Sequence, residues 1–533
     1  MTWFSLPETQ TVNRAAFHDA AGAAAWLAGQ PQANVTAMLD ALVAQLSAFN
    51  TFTVPPRERF KVLEVLRKAV FAVSGECQRR FDGKPLPLLP AEQAALDGAR
   101  LLWRACRLGY LHCLRACLDR DETLLSRADK VAHRAITCLR MEQWCCYLAG
   151  TDVDAAFWRD LHAVYASAER LGVLAESVED GLPRETTAST ISGQYGMALL
   201  LHLANSFALT RTQFATAARW LVRWRELVVV QDLPETRAKS CCAALDLVAA
   251  TALHDNCKPA EQPRWLVLDA VLRKMRKRLE SLNAGESPES LKLGNNLSAE
   301  ACATLLEILS DHLRMPASSV PRPAGESGDV EVVWGIDNIY RQLGGRNLAE
   351  PSPTTTYVGR VRTDQLAVFG HVVDPSRDQM VPCEAWRIER HAGGTIDLRR
   401  QVDAEGTRMA LRHILALRMA PKSPWLLATT SRLSAHGHDV SLTAALEASN
   451  LQPVIAVQWD GTFGKTVRSP GLLHTGPGGE RRVMLPPGLN PQTRAVRLVD
   501  AQMETPLPGS PAQLVERGGD HECWSLVLPD ETV

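Results

Sequence analysis

Arginine residues in the C-terminal part of the chain are the side chains best suited by type and spacing to bind a ligand. Between Tyr357 and Leu433 there are eleven arginines and one lysine. A guanidinium group grips phosphate through paired hydrogen bonds and also pairs with the edge of guanine, which an ammonium group does less well. The arginines on or beside one predicted β-hairpin are Arg387, Arg390, Arg399 and Arg400. These four are the candidate ligand-binding residues of this part of the chain.

An alternative role for these arginines stays open. Arginine dominates the whole chain, since only 11 of the 58 basic residues are lysine. An arginine on an exposed sheet face can also lay its aliphatic stem along the surface and keep its charge in water without binding anything. Four further arginines are expected to face the hairpin across a small barrel, namely Arg360, Arg362, Arg412 and Arg418.

The sequence lacks the common motifs of catalysis and metal binding. It contains no CxxC pair, no HExxH and no GxSxG nucleophile elbow. Cys106, Cys113 and Cys117 share one face of a predicted helix, where cysteine usually serves as a small buried hydrophobe. Gly476–Gly479 lacks the Lys-Ser/Thr ending of a phosphate-binding loop and is predicted to be a hairpin turn. We therefore predict no catalytic residue, no metal site and no cofactor.

A run of basic residues marks one helix of the N-terminal part. Arg273, Lys274, Arg276, Lys277 and Arg278 place five cations in six positions. Such a run could contact a phosphate backbone or an acidic partner, but no aromatic residue interleaves with it to stack on bases. A solvated helix face is the favoured interpretation, and binding of nucleic acid is not expected.

Residues 1–316 are predicted to form a helical domain with repeat-like character. Asn34 is a suitable N-cap before an apolar stripe of helical spacing, and Pro56 suits the first turn of the next helix. Trp158, Leu161 and Tyr165 follow the first-helix spacing of tetratricopeptide repeats, with His162 where that repeat usually has glycine. Further helices are expected near 91–119, 122–148, 155–176, 187–207, 211–228, 264–282 and 299–313, and Cys241–His254 fits either a helix or a buried strand.

The remainder of the chain has the pattern of β-structure. Residues 317–329 are rich in Pro, Gly and Ser and are predicted to be a linker, and 330–354 are predicted to be a connecting strand and short helix. Residues 355–533 form short alternating runs between turns, which predicts one or two small barrels or a sandwich. The expected strands are 357–362, 366–373, 384–390, 395–400, 414–418, 425–433, 440–446, 454–459, 482–485, 495–499 and 523–528. The fold class is thus α+β and multidomain.

One segment of this β-rich part resembles a known family. Glu384–Leu433, within a barrel of about 384–460, resembles the PilZ-type barrel of bacterial cyclic di-GMP receptors. Glu389–Gly394 stands where that family has [D/N]-x-S-x-x-G, keeping the glycine but with Glu for Asp/Asn and His391 for Ser. The family's upstream R-x-x-x-R is missing from the β-rich part, although Arg408–Arg412 has that spacing downstream. The resemblance implies a degenerate barrel in which His391 and Gly394 shape the ligand-binding turn. If a dinucleotide binds there, the resemblance implies that its phosphate and guanine groups contact Arg387, Arg390, Arg399 and Arg400.

The composition of the chain and its N-terminal sequence bear on its partners and its cellular location. The net charge of −1 gives no overall field to attract nucleic acid or lipid. The N-terminus lacks a signal-peptide pattern. The apolar stretch Gly196–Leu209 is too short to span a bilayer. The 13 cysteines do not follow the spacing of a disulfide framework, which suits a reducing compartment. A cytoplasmic location without membrane insertion is expected.

The combined hypothesis is a non-enzymatic signalling or adaptor protein. The helical region would bind a protein partner, and the barrel would respond to a cyclic dinucleotide, cyclic di-GMP. The alternative is a purely structural interaction scaffold with no nucleotide ligand.

Overall fold

The computed structural model divides the chain into two compact units, Met1–Arg322 and Pro323–Val533. It describes residues 4–31, 33–182, 188–233, 240–255, 258–314, 328–345, 348, 381, 383–401, 406–448, 450–460, 465–476, 479–489 and 495–527. The predicted strands 357–362 and 366–373, with Arg360 and Arg362, lie outside the described residues, as does most of the predicted linker 317–329.

The first unit is dominated by helices. These are α1 (Ala20–Ala28), α2 (Val35–Asn50), α3 (Pro56–Phe81), α4 (Pro90–Leu118), α5 (Glu122–Leu125), α6 (Ala128–Leu148), α7 (Ala155–Leu171), α8 (Ile191–Leu203), α9 (Arg211–Trp224), α10 (Asp269–Asn283) and α11 (Ala299–Arg314). Two short 3-10 turns follow α8 and α9. Within the described part of the chain, no helix combines the length and the apolar character needed to cross a membrane.

Local sequence signals explain several of these helix starts. The Asn34 side chain accepts a hydrogen bond from the Ala37 amide at 3.1 Å, as expected of an N-cap. Pro56 occupies the first turn of α3, where its missing N–H has no helical partner to lose. Helices α3, α4 and α6 pack on one another, and their apolar faces form most of one continuous core. The α+β class predicted from the sequence is confirmed.

A small sheet interrupts the helical unit, which differs from the all-helical region expected here. Strands β1 (Val229–Gln231), β2 (Cys242–Asp246) and β3 (Pro263–Val267) form an antiparallel sheet in the order β1-β3-β2. The ambiguous segment after Cys241 is therefore a strand, and the helix predicted to begin at Arg264 begins at Asp269. The short apolar run of β3 suits either structure by pattern, and its pairing with β1 and β2 decides in favour of the strand.

The residues with tetratricopeptide-like spacing are buried on α7. Trp158, Leu161 and Tyr165 all lie in the core. His162 is fully buried, with Nδ1 2.7 Å from the Tyr195 hydroxyl and Nε2 2.8 Å from the Thr251 carbonyl oxygen. A hydrogen-bonded histidine at this position thus joins three segments of the unit, whereas the repeat architecture itself stays a prediction.

The second unit contains a closed antiparallel barrel. Its strands are β4 (Asp329–Trp334), β5 (Glu384–Ala392), β6 (Thr395–Gln401), β7 (Ile414–Arg418), β8 (Leu426–His436) and β9 (Asp439–Ala448), in the order β4-β5-β6-β9-β8-β7. Strand β4 pairs with both β5 and β7, so it closes the barrel. We had expected 330–354 to be a connecting segment, but its strand is an integral part of the barrel. Helix α12 (Ile336–Gln342) follows directly and packs on β4 and β7.

An open sheet of six strands completes this unit. Its strands are β10 (Gln452–Asp460), β11 (Lys465–Thr475), β12 (Arg481–Leu485), β13 (Val496–Asp500), β14 (Ser510–Arg517) and β15 (Glu522–Val527), in the order β13-β10-β11-β12-β15-β14. Barrel and sheet share a core that includes Ile414, Leu472 and Met484. Strands β11 and β14 were not anticipated, because Pro470 and Pro511 interrupt their patterns. Gly476 and Gly479 lie at the turn between β11 and β12, as predicted.

Candidate functional site

The β5–β6 hairpin carries every site residue predicted from the sequence. A two-residue turn of Gly393 and Gly394 joins its strands, with φ of 60° and 78°. Positive φ at both central residues is the geometry of the tight hairpin turns that match strand twist, and glycine adopts it without a Cβ clash. The Gly394 carbonyl accepts a hydrogen bond from the Leu446 amide at 2.8 Å, which ties the turn to β9. Gly394 therefore contributes its turn conformation and this backbone hydrogen bond.

Arg387 and Arg399 are direct cross-strand partners on this hairpin. Both side chains are exposed, while the next registered pair, Ile388 and Leu398, is buried. Successive side chains of a strand alternate between faces, so the two arginines share the outer surface of the barrel. Two guanidinium groups side by side create local positive potential on that surface.

Carboxylates from two strands partly neutralise this arginine pair. Arg399 lies 3.2 Å from the Glu389 carboxylate and donates a hydrogen bond to Asp439 at the start of β9. The hydrogen bond to Asp439, followed by that to Glu389, raises the pKa of Arg399. Arg399 is thus held in place and stays charged.

A cavity of about 610 Å³ opens beside the arginine pair. It is lined by Arg387, Ile388, Glu389, Arg399, Arg400, Gln401 and Asp439. Pockets that hold small-molecule ligands typically span roughly 300–1,000 Å³. The cavity is thus of ligand size, and its wall carries both arginine and carboxylate groups.

Arg390 and His391 lie further along β5 and do not line this cavity. A β-bulge between Ile388 and Arg390 shifts the register, so that Arg390 faces Asp397. Arg390 Nε donates to Asp397 at 2.7 Å, and the other oxygen of that carboxylate accepts from Thr443 Oγ1 at 2.7 Å. This ladder links β5, β6 and β9, which indicates a structural role for Arg390. His391 is exposed near the turn.

The guanidinium of Arg400 is bound within the barrel. The side chain is 6% exposed and lies 5.1 Å from the Trp386 ring centroid. It donates to Glu384 at 2.8 Å and to the Thr407 carbonyl oxygen at 3.0 Å, and Glu384 also accepts from the indole N–H groups of Trp334 and Trp386. Burial lowers the pKa of Arg400, and Glu384 opposes that effect.

This placement departs from the expectation that Arg399 and Arg400 act together on one ligand. Arg400 borders the cavity, but adjacent residues of a strand point to opposite faces, and its charge is already satisfied by Glu384. Among the six predicted residues, those at the cavity are Arg387, Arg399 and Arg400, and those away from it are Arg390, His391 and Gly394.

Sequence reasoning missed the acidic residues of the cavity wall. Glu389 is two positions from Arg387, so strand alternation alone was a signal that both face outward. Asp439 begins the strand after the Gly437 turn, and nothing in local spacing links it to Arg399 forty residues earlier. The pairing of β6 with β9 brings the two together.

Arg412 and Arg418 are the two arginines, of those expected to face the hairpin across the barrel, that lie in the described part of the chain. Arg418 on β7 bonds Glu331 on β4 at 2.6 Å and lies 4.6 Å from the Trp425 ring centroid. The backbone of Arg412 has a φ of 60° and its amide donates to the Thr430 carbonyl oxygen at 2.8 Å. Neither residue lines the cavity beside Arg387.

The cysteines singled out in the sequence are buried within the helical core. Cys106, Cys113 and Cys117 are each fully buried, and burial raises the pKa of Cys117 to about 12. A thiol held protonated in this way is a poor nucleophile and a poor metal ligand. In the described ranges, no group of three or more His, Cys, Asp or Glu side chains is arranged to hold a metal ion.

Comparison with known proteins points to one class, and the similarity lies in the helical unit. Residues 20–236 match the family model described as "Cyclic-di-GMP receptor FimW, N-terminal domain". A curated protein similar to this chain is the Cyclic-di-GMP receptor FimW of Pseudomonas aeruginosa, which is 26% identical over 215 residues. That alignment covers 39% of this chain and 34% of the relative, so the chain spans about a third of the curated protein's length. No solved structure matches.

Proposed function

We propose that this protein is a non-enzymatic signalling protein that binds cyclic di-GMP. The observation that carries the proposal is the match of residues 20–236 to the N-terminal domain of a cyclic di-GMP receptor. The matched region lies in the helical unit, so it supports the class of protein and leaves the ligand contacts to be argued from the barrel.

The cavity beside Arg387 and Arg399 is the proposed ligand site. Its volume of about 610 Å³ lies within the range of small-molecule sites, and two arginines on one face can each bind a phosphate or a guanine edge. Their cross-strand pairing places the two residues directly opposite each other on adjacent strands. The resemblance of this segment to PilZ-type barrels supports the same assignment, with Gly394 as the turn residue.

Glu389 and Asp439 set the conditions under which such a ligand binds. Both carboxylates already engage Arg399, so an incoming phosphate must compete with them for that guanidinium. Arg387 is exposed and forms the outer part of the wall. We infer that Arg387 and Arg399 both contact the ligand phosphates and that Arg399 shares its hydrogen bonds between ligand and carboxylates.

The helical unit is the proposed output surface of the protein. Its long helices bury a continuous core and present polar outer faces, on which a protein partner could dock. Ligand binding in the barrel would then regulate that association.

Isothermal titration of the full chain with cyclic di-GMP tests the proposal. Cyclic di-AMP is the matched ligand control, because it carries the same two phosphates but lacks the guanine O6 acceptors that arginine recognises. We expect saturable heat with cyclic di-GMP at tens of micromolar protein and weaker binding of cyclic di-AMP. If neither ligand gives a binding heat, the proposal that this protein binds a cyclic dinucleotide is wrong.

The structural scaffold is a second candidate function, favoured by the ion pairing of the hairpin. Arg390, Arg399 and Arg400 each have a carboxylate partner within the described structure, as expected of residues that stabilise a barrel. A scaffold would retain a co-purifying protein partner whether or not cyclic di-GMP is present.

A further inference from the structure

A second, smaller cleft lies in the helical unit, remote in sequence from the barrel. It has a volume of about 230 Å³ and is bordered by α9, α10 and the segment after α10. Its lining residues are Trp220, Arg223, Trp224, Lys274, Arg278, Leu291 and Lys292. Two tryptophans and four cations therefore meet in one small space.

The indole rings form a fixed floor. Trp220 is 1% exposed and Trp224 is 6% exposed, and their ring centroids are 6.1 Å apart. Trp220 Nε1 donates to the Leu293 carbonyl oxygen at 2.8 Å, which fastens the segment after α10 to α9. So little of either ring face is accessible that a base cannot stack on it, and the open part of the cleft is its cationic rim.

The cationic rim has no acidic counterpart among the described residues. No Asp or Glu lines the cleft, and within the described ranges no carboxylate lies within 4.0 Å of the charged groups of Lys274, Arg278, Lys292 or Arg223. The barrel cavity differs in this respect, since Glu389 and Asp439 offset its arginines there. Four cations without a nearby carboxylate, grouped around two buried indole rings, create the positive potential expected of an anion-binding site.

The backbone holds these cations together. Lys274 and Arg278 are four residues apart on α10, which places two like charges on the same helix face at some cost to the helix. Lys292 has a φ of 58°, a left-handed conformation that a lysine rarely adopts. The Lys292 amide donates to the Glu289 carbonyl oxygen at 2.9 Å, and the Arg223 guanidinium donates to the Lys292 carbonyl oxygen. A phosphate bound between Lys274 and Arg278 would offset their mutual repulsion.

We propose that this cleft binds a phosphate monoester, with Lys274, Arg278 and Lys292 contacting the phosphate oxygens and Arg223 closing the rim. A dianionic phosphate accepts several charge-assisted hydrogen bonds at once, which matches cations that converge from α9, α10 and the following segment. The cleft falls below the roughly 300 Å³ of typical ligand pockets, so it suits a phosphate group better than a cyclic dinucleotide. The proposal does not depend on cyclic di-GMP binding in the barrel.

Titration of the full chain with guanosine 5′-monophosphate and, separately, with inorganic phosphate tests this site. The test variant is Lys274→Ala/Arg278→Ala. The matched control is Arg273→Ala/Lys277→Ala, which removes the same charge at the same spacing from exposed positions of the same helix, outside the cleft. We expect the test variant to weaken binding by about tenfold or more and the control by less than about twofold.

A further variant keeps the proposal falsifiable should the double variant unfold. Lys292→Gly removes one cation and relieves the left-handed backbone, so the fold should keep its Tm while phosphate binding falls by about threefold or more. Similar affinity for both ligands indicates that the phosphate alone is recognised, and tighter binding of the mononucleotide indicates added contacts to its sugar; either supports the site. Absence of binding at millimolar ligand, or equal weakening by the test and control variants, overturns it.

Discussion

Arg399 and Arg400 are neighbours in the chain, yet their guanidinium groups lie on opposite faces of β6 and bind different carboxylates. Arg399 is on the outer surface with Asp439 and Glu389, whereas Arg400 is bound to Glu384 among the buried indoles of Trp334 and Trp386. The same residue type thus serves two purposes one position apart. The outer arginine forms exposed ion pairs, and the inner one belongs to a buried network of charged and indole groups.

Alanine substitution should separate these two roles by their effect on stability. Arg400→Ala leaves the Glu384 charge buried without its partner, which should lower the free energy of unfolding by about 3–5 kcal/mol. Arg399→Ala removes an exposed ion pair and should cost about 0–1 kcal/mol. Urea unfolding followed by tryptophan fluorescence measures both. Equal losses in the two variants would show that the buried network does not stabilise the barrel.

Removal of the carboxylate at Asp439 should strengthen binding of cyclic di-GMP, if that ligand occupies the barrel cavity. Asp439→Asn takes away a competitor for Arg399, and an exposed pair worth up to about 1 kcal/mol corresponds to a gain of no more than about fivefold in affinity. Asp397→Asn is the matched control, since that carboxylate bonds Arg390 away from the cavity. Isothermal titration compares them. Weaker binding by Asp439→Asn would mean that the carboxylate itself contacts the ligand.

The buried histidine of α7 should make the helical unit sensitive to acid. Burial lowers the pKa of His162 from its ordinary value of 6.5 to about 4, with opposing effects from Thr251 and Asp246. Between these two pH values His162 is protonated in the unfolded chain but stays neutral in the folded chain. Proton binding therefore lowers the free energy of unfolding as the pH falls from about 6.5 towards 4. A difference of this size corresponds to roughly 3 kcal/mol.

Urea unfolding at pH 7 and pH 4 measures this effect. His162→Gln should be less stable than the parent chain at pH 7, because it disturbs the bonds to Tyr195 and Thr251, but it should lose about 3 kcal/mol less on acidification. His18→Gln is the control, since that side chain is exposed and should leave the acid response unchanged. An acid response in His162→Gln as large as that of the parent chain would contradict the assignment.

Strand and helix positions in this protein follow closely from local patterns. The alternation of Trp386, Arg387 and Ile388 is enough to predict β5 and its buried face, and the apolar spacing after Asn34 is enough to predict α2. The sequence pattern predicts a helix from residue 264, because the short apolar run at 264–267 fits both a helix and a strand. Its strand identity depends on partners well upstream in the chain, β1 and β2, which no local pattern reveals.

The candidate site was less accessible to sequence reasoning than the strands that carry it. The arginines of the β5–β6 hairpin can be identified from the sequence. The alternation of side chains along a strand predicts that Arg399 and Arg400 point to opposite faces. The partner of Arg400 is sixteen residues away at Glu384, and that of Arg399 is forty residues away at Asp439. Glu384 meets Arg400 through the pairing of β5 with β6 in one hairpin, whereas Asp439 meets Arg399 because β6 pairs with the more distant strand β9.

The role of Arg387 in ligand binding provides the most direct test of the central proposal. Titration of cyclic di-GMP into the parent chain, Arg387→Ala and Arg497→Ala compares an arginine of the cavity wall with an exposed arginine on β13 in the other sheet. Loss of one charge-assisted contact should weaken binding by about tenfold in Arg387→Ala, while Arg497→Ala should stay within about twofold of the parent chain. Absence of binding by the parent chain, or equal affinity in all three proteins, would contradict a cyclic di-GMP site on the β5–β6 hairpin.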